Sequence, residues 1–462
     1  MDFVTQLLNV VFSPPGLIGI ALGLVLVVQA NRSPHLAWLL FSLCCFAASL
    51  GKFRDEFVLE PPPLVFPLQQ LRDNGRPLAI VLLALVFMVG QKAQNGWRQQ
   101  LVPQAVRYLF FVQIAVLIKT LLYGDQEFAI LAILTFGFVV YTVRLGPSRW
   151  LQNDEAFRLA VWSIAMVAII FMLVNAYQAL FDRHPITFVQ GRFLGTTGNP
   201  LHATVLLAST VPCFVFMVES SPKWFWNKIF WILGLLCTVY ALFLTGSRTG
   251  VLMSAISILF FYRQKPTALL RLGLVIGVAL IIILPTLGVD LSSLSGTDPA
   301  VADRFTSTDN TRAGPWAAMW RAFTNYPVFG APLRGSRIIY GENSWLGAGA
   351  NLGIMGLFPL ILFGLSCIQT IVKISQLSKR NPSYFLQAST VVAGLTSLLI
   401  GSIFEAFLLG NLSFALLVLL TYLLLGQYLM EVDRAMQIYN TWSIVTSSQL
   451  PIIESQGNSS VF

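Results

Sequence analysis

The chain has 462 residues, 56% of them hydrophobic and only 11% charged, with a mean hydropathy of +0.73. Soluble domains average about 25% charged residues, so this composition excludes a soluble protein and predicts an integral membrane one. The net charge of +9 fits the Lys and Arg that cytoplasmic loops carry to set orientation, and predicts no nucleic-acid partner.

The apolar runs are too long and irregular for barrel strands, which alternate over about ten residues. The predicted fold class is an all-α polytopic membrane protein. Residues 1–12 are a short apolar lead-in without the basic start of a cleavable signal peptide. Spans are predicted at 17–30, 35–50, 77–90, 108–123, 128–143 and 159–180. A proline-broken connection at 51–76 and basic loops at 92–107 and 144–158 separate them. After a polar connection at 181–201, spans follow at 203–218, 230–244, 251–261 and 272–284. A long polar loop at 285–343, predicted to contain short helices, interrupts the series. Runs at 345–371, 385–404 and 407–425 bring the total to about twelve or thirteen transmembrane helices. The chain thus divides into N-terminal helices (1–180), a membrane region holding the long loop (181–429) and a polar cytoplasmic tail (430–462), expected to be disordered after 446.

Simple alternation of the spans places Arg144/Arg149/Arg158, Lys223/Lys228, Arg263/Lys265/Arg271 and Lys373/Lys379/Arg380 on one face, assigned to the cytoplasm. The long loop, the 181–201 connection, the turn at Ser247-Arg248 and Glu405 then share the opposite, extracytoplasmic face. A charge beside lipid is expensive and usually has a partner or a ligand.

Arg248 lies in a tight turn between two apolar runs. It reads as an anion clamp or as an arginine snorkelling at a helix end, and Gly246 and Gly250 allow close backbone approach. Arg192 lies in a loop with Gly195 and Gly198, whose backbone N–H groups can face an anion. The plainer reading of that loop is that Asn199 or Thr197 caps the next helix. His202 follows at the outer end of that span, near the clamp. In the long loop, Trp316, Met319, Trp320 and Phe323 keep the spacing of one helix face, opening at Asp309-Asn310-Thr311. Such a helix lies on the bilayer, covers a cavity or packs on the bundle. Arg312, Arg334 and Arg337 add cations to the loop, and Glu342 and Asn343 open the next span. Glu342 reads either as a complement to the helix dipole or as a half-buried general base with a raised pKa. His35, His184 and His202 are too dispersed for a metal site, and the five cysteines lie in apolar runs. No metal and no cofactor is predicted.

Four features in this order resemble the O-antigen ligase and O-antigen polymerase superfamily of bacterial surface-polysaccharide assembly. They are Gly-Thr-Thr-Gly-Asn-Pro at 195–200, Leu-Thr-Gly-Ser-Arg-Thr-Gly at 244–250, Arg312…Trp316…Ala322…Pro327…Gly330, and Glu-Asn-Ser-Trp-Leu at 342–346 followed by Gly353 and Gly356. The resemblance covers residues 192–405, and the N-terminal third is similar only in being helical and apolar. It implies a metal-independent glycosyltransferase of the bacterial inner membrane with its active site on the extracytoplasmic side. The implied donor is a glycan linked to polyprenyl diphosphate, and the acceptor a glycan or lipid hydroxyl, with membrane lipids around both. Carried onto this chain, Arg192 and Arg248 hold the diphosphate, with Arg312, Arg334 and Arg337 as further candidates. Glu342 and Arg248 are the catalytic candidates, supported by Asn343, Asn199, His202 and Trp316. Family ligases usually have His where this chain has Glu342, which favours a polymerase over a ligase. The alternative from another class is a transporter of a small anion such as bicarbonate. That reading expects broken spans and ionisable groups at the bilayer midplane, often in repeated halves.

Overall fold

The computed structural model describes residues 14–50, 62–89, 103–182, 191–221, 225–270, 273–274, 312–333, 342–410 and 412–449. Backbone polar groups in a bilayer must be satisfied within the chain, and long apolar segments meet that demand as helices. The N-terminal part forms α1 (Pro14–Arg32), α2 (Pro34–Ser49), the short α3 (Leu68–Asp73), α4 (Gly75–Met88), α5 (Gln104–Tyr123), α6 (Gln126–Leu145), the single turn α7 (Pro147–Trp150) and α8 (Asp154–Phe181). There follow α9 (Pro200–Ser220), α10 (Phe225–Leu244), α11 (Arg248–Phe261), α12 (Ala313–Asn325), α13 (Ser344–Arg380), α14 (Phe385–Phe404) and α15 (Phe414–Gln449). Among the described residues, eight helical stretches are long and apolar enough to cross a membrane, and four shorter apolar helices accompany them. The chain is therefore an all-α, multi-pass membrane protein. The predicted span at 272–284 lies almost wholly outside the described residues.

Helix α9 is the axis of the bundle. Its apolar window is 89% buried, whereas that of α6, at the periphery, is 28% buried. It touches α2, α8, α10, α11, α14 and α15. Small residues make this close packing feasible: Ala203, Thr204, Ala208 and Ser209 are fully buried along α9. A Cβ added to Gly250 of α11 would lie 2.5 Å from Thr204 Cγ2. The hydroxyl of Tyr422 in α15 donates to the Ser209 carbonyl at 2.8 Å, tying these two helices together near Pro212.

The bundle has a basic end and a loop end. At the basic end, Arg263 Nη2 reaches the hydroxyls of Ser375 and Ser378 at 3.4 Å, and Lys265 Nζ lies 4.4 Å from the centre of the Phe385 ring. These contacts join α11, α13 and α14. The loop end gathers the 191–199 segment, the 245–247 turn, α12 and residues 342–343, 405–410 and 412–413.

Two boundaries correct the sequence expectations. The last span is expected to begin at 407, but residues 405–410 and 412–413 are not helical. Leu408 and Leu409 are buried there, the Leu408 N–H donates to Ser344 Oγ at 3.3 Å, and Ser413 Oγ accepts from Leu416 N at 3.2 Å as α15 begins. At the other end, α15 continues through 430–449, which had read as tail. Asp433 explains part of that continuation: it pairs with Arg380 at 3.7 Å and accepts from Gln437, one turn on, at 2.9 Å. Residues 450–462 lie outside the described residues.

Candidate functional site at the loop end

The first wall of the site is the 191–199 segment stitched to the turn between α10 and α11. Arg192 Nε donates to the Thr245 carbonyl at 2.7 Å, and Phe193 N to the Leu244 carbonyl at 2.9 Å. The Thr204 hydroxyl of α9 donates to Thr245 Oγ1 at 3.0 Å. Gly246 adopts φ +61°, a left-handed conformation that reverses the chain into α11. Arg192 is buried, whereas Arg248, the first residue of α11, is exposed. A cation at a helix N-terminus opposes the helix dipole, so Arg248 occupies a position that helix stability alone disfavours.

Arg312, directly before α12, joins this wall to two others. Its Nη1 donates to Thr249 Oγ1 at 3.1 Å, and its Nη2 to Glu405 Oε1 at 2.8 Å. Its Nε lies 3.6 Å from Glu342 Oε2, and its Cζ 5.5 Å from the centre of the Phe404 ring. Arg312 thus binds the first turn of α11, the end of α14 and the approach to α13 at once. The anchor beneath it is Ser344, whose hydroxyl donates to the Glu405 carbonyl at 2.7 Å.

Glu405 is the buried carboxylate of the cluster, and sequence reasoning did not single it out. Burial pushes its carboxyl up to about 7, against the opposing pull of Arg312 and Arg192, while Glu342 adds to the rise. Glu342, expected to be half-buried, is instead exposed, with 47% of its side-chain surface accessible. It stands at the rim because the α13 cap begins one residue later. Asn343 is the buried cap: its Oδ1 accepts from Trp345 N at 2.8 Å and Leu346 N at 2.9 Å. Asn199 does the same for α9, accepting from Leu201 N at 2.8 Å. Both asparagines therefore hold helix ends, which places the neighbouring charges.

Helix α12 lies on α13. Trp316 packs against Phe404, with ring centres 5.9 Å apart, and Phe323 covers Gly349. Trp320 is 55% exposed, so only part of the predicted apolar face meets the bundle. Trp316 Nε1 is buried without an acceptor among the described residues. The expected opening at 309–311 lies outside the described residues, as do Arg334 and Arg337. His202 is exposed in the first turn of α9 and interacts electrostatically with Arg76 of α4, a cation the sequence reading passed over.

A third unforeseen residue is Lys119 of α5. Its buried ammonium donates to the carbonyls of Phe329 at 2.9 Å, Ala331 at 2.5 Å and Asn351. It seats the chain that follows α12 against α13. No sequence periodicity marks it, because its acceptors are backbone atoms more than two hundred residues away.

Among the described residues, no three His, Cys, Asp or Glu side chains come together in a group that could hold a metal. No family description and no curated protein matches the chain. Fold and geometry define the class: a multi-pass helical membrane protein with a cluster of cations and carboxylates at one end of its bundle.

Proposed function

We propose that the protein transfers a glycan from a polyprenyl diphosphate carrier to an acceptor hydroxyl, on the extracytoplasmic side of a bacterial inner membrane. One observation carries this reading. The segments around residues 192, 248, 312 and 342, distant in sequence, meet at the loop end, and Arg192 and Arg312 both act on the same buried carboxylate. In the reaction, the acceptor oxygen bonds to the anomeric carbon as the bond from that carbon to the diphosphate oxygen breaks. The electron pair leaves with the lipid diphosphate. Arg192, Arg248 and Arg312 stabilise the charge developing there, and guanidinium groups at a low-dielectric boundary do this well. Glu342, exposed at the rim, accepts the acceptor proton. Trp316 Nε1 supplies a further donor. The carboxylate at 342 favours polymerisation of repeat units over ligation.

The transporter alternative calls for a binding site at a broken span. Helix α13 is broken at Gly353 (φ 63°, ψ −154°), but Lys119 and the 327–331 segment occupy the groups that the break exposes. The test is the glycan profile of a deletion strain. Single lipid-linked repeat units accumulate if the protein is a polymerase, and long lipid-linked polymer if it is a ligase. Complementation with Arg248→Ala or Glu342→Gln should fail although both variants insert normally; wild-type glycan from both overturns the site. An unaltered profile with impaired anion uptake supports the transporter instead.

A further inference from the structure

The anion site contains an anion of its own. Glu405 Oε1 accepts from Arg312 at 2.8 Å, and the charge of Arg192 also acts on it. Among the described residues, the charges of Arg312 at the start of α12, Glu342 at the start of α13 and Arg192 in the 191–199 segment act on Glu405. Neutral surroundings include Thr249, which shares Arg312, and Ser344, which holds the Glu405 backbone. Arg312 is thus engaged by two carboxylates, one of them 9% exposed in its side chain.

A diphosphate entering this cluster meets the same donors that Glu405 uses. A second anion beside a buried carboxylate favours its neutral form. Once protonated, the carboxyl becomes a donor and can face a phosphate oxygen rather than repel it. We propose that the site takes up its phosphate-class anion together with one proton, carried by Glu405, which frees Arg312 for the ligand. This rests on the diphosphate reading above. The proton enters from solution on binding and returns to solution when the lipid diphosphate departs, so none is consumed. Burial already holds Glu405 near neutrality, at about 7, so the uptake falls in the physiological range. Glu342, at the exposed rim, is left to receive the acceptor proton.

The test uses the full chain in lipid nanodiscs and citronellyl-diphosphoryl-glucose, a short-chain diphosphate diester that does not itself titrate between pH 6 and 9. Calorimetric titration at pH 7.5, in buffers of different ionisation enthalpy, should show uptake of up to about three-quarters of a proton, since a carboxyl at about 7 is already about one-quarter protonated there. Affinity should fall by up to tenfold per pH unit above 7, the limit for one linked proton. Glu405→Gln should bind without proton uptake and without pH dependence. Glu342→Gln should retain the uptake, and it decides the assignment if Glu405→Gln does not fold. Uptake that persists in Glu405→Gln, or is lost in Glu342→Gln, overturns the inference. Wild-type binding with no proton uptake overturns it while sparing the diphosphate reading. No binding by the wild type overturns both.

Discussion

Replacing Lys119 by Met tests how the loop end is held together. The substitution keeps an unbranched apolar stem and removes three donors. Their acceptors are the carbonyls of Phe329, Ala331 and Asn351. The geometry around them explains why a cation is needed. In an unbroken helix Ile354 N would serve the Ala350 carbonyl. Because α13 breaks at Gly353, Ile354 N instead donates to Pro327 O at 2.7 Å, and Ala331 N donates to Ala350 O at 2.8 Å. The segment after α12 is thus spliced into the break, and Lys119 covers the carbonyls left over. Hydrogen bonds to charged groups contribute about 1.5–3 kcal/mol each. Water at the loop end recovers part of that, so the net loss is about 3 kcal/mol, confined to 326–333 and the first turns of α13. At about 1.4 kcal/mol per factor of ten, amide exchange at Ala331 and Ile354 should accelerate about 100-fold, measured by hydrogen–deuterium exchange in nanodiscs. Exchange within α9 and α14 should not change. A buried charge is also costly, and apolar replacements are sometimes neutral. Unchanged protection at Ala331 and Ile354 would therefore refute the reasoning.

Other substitutions probe neighbouring contacts. Gly353→Ala meets the Val328 carbonyl oxygen at 2.3 Å from its Cβ and keeps a left-handed φ of +63°, so thermal unfolding in detergent should register a loss of at least about 2 kcal/mol. At pH 9, where the Glu405 carboxyl is ionised, Arg312→Met should cost about 2–3 kcal/mol by stranding Glu405, and the double variant Arg312→Met/Glu405→Gln should recover most of it, as a double-mutant cycle would report. The sign for pH follows from the raised Glu405 carboxyl, which moves from 4.5 to about 7 on folding. The folded state binds the extra proton, so this stabilisation is complete below about 4.5 and lost as pH rises through 7. Relative to Glu405→Gln, the wild type should lose on the order of 3 kcal/mol across that window, read as a falling melting temperature.

The bundle was largely legible before any coordinates. Apolar runs long enough to span lipid have no good alternative to the helix, and basic clusters recurring at alternate connections set the parity. That parity put Arg192, Arg248, the long loop and Glu405 at one end, where the structure also has the described ones. Boundaries were less legible: the polar stretch 430–449 reads as tail and is helical, and the apolar run from 407 reads as helix, whereas 407–410 and 412–413 are not helical. Asn199 was readable as a cap because a cap is local and its acceptor lies within three residues of its donor; Asn343, read only as opening its span, caps α13 in the same way.

What the sequence by itself determined is the class of protein, the alternation of its helices and the gathering of charge at one end. These follow from hydropathy and from spacing along the chain. Only the tertiary structure decided which charge meets which. It put Glu405 rather than Glu342 in the buried position, bound Arg312 to Thr249 and Glu405 across 63 and 93 residues, and spent Lys119 on backbone carbonyls. A carboxylate's burial depends on what packs over it, and packing partners so far apart leave no periodic trace in the sequence.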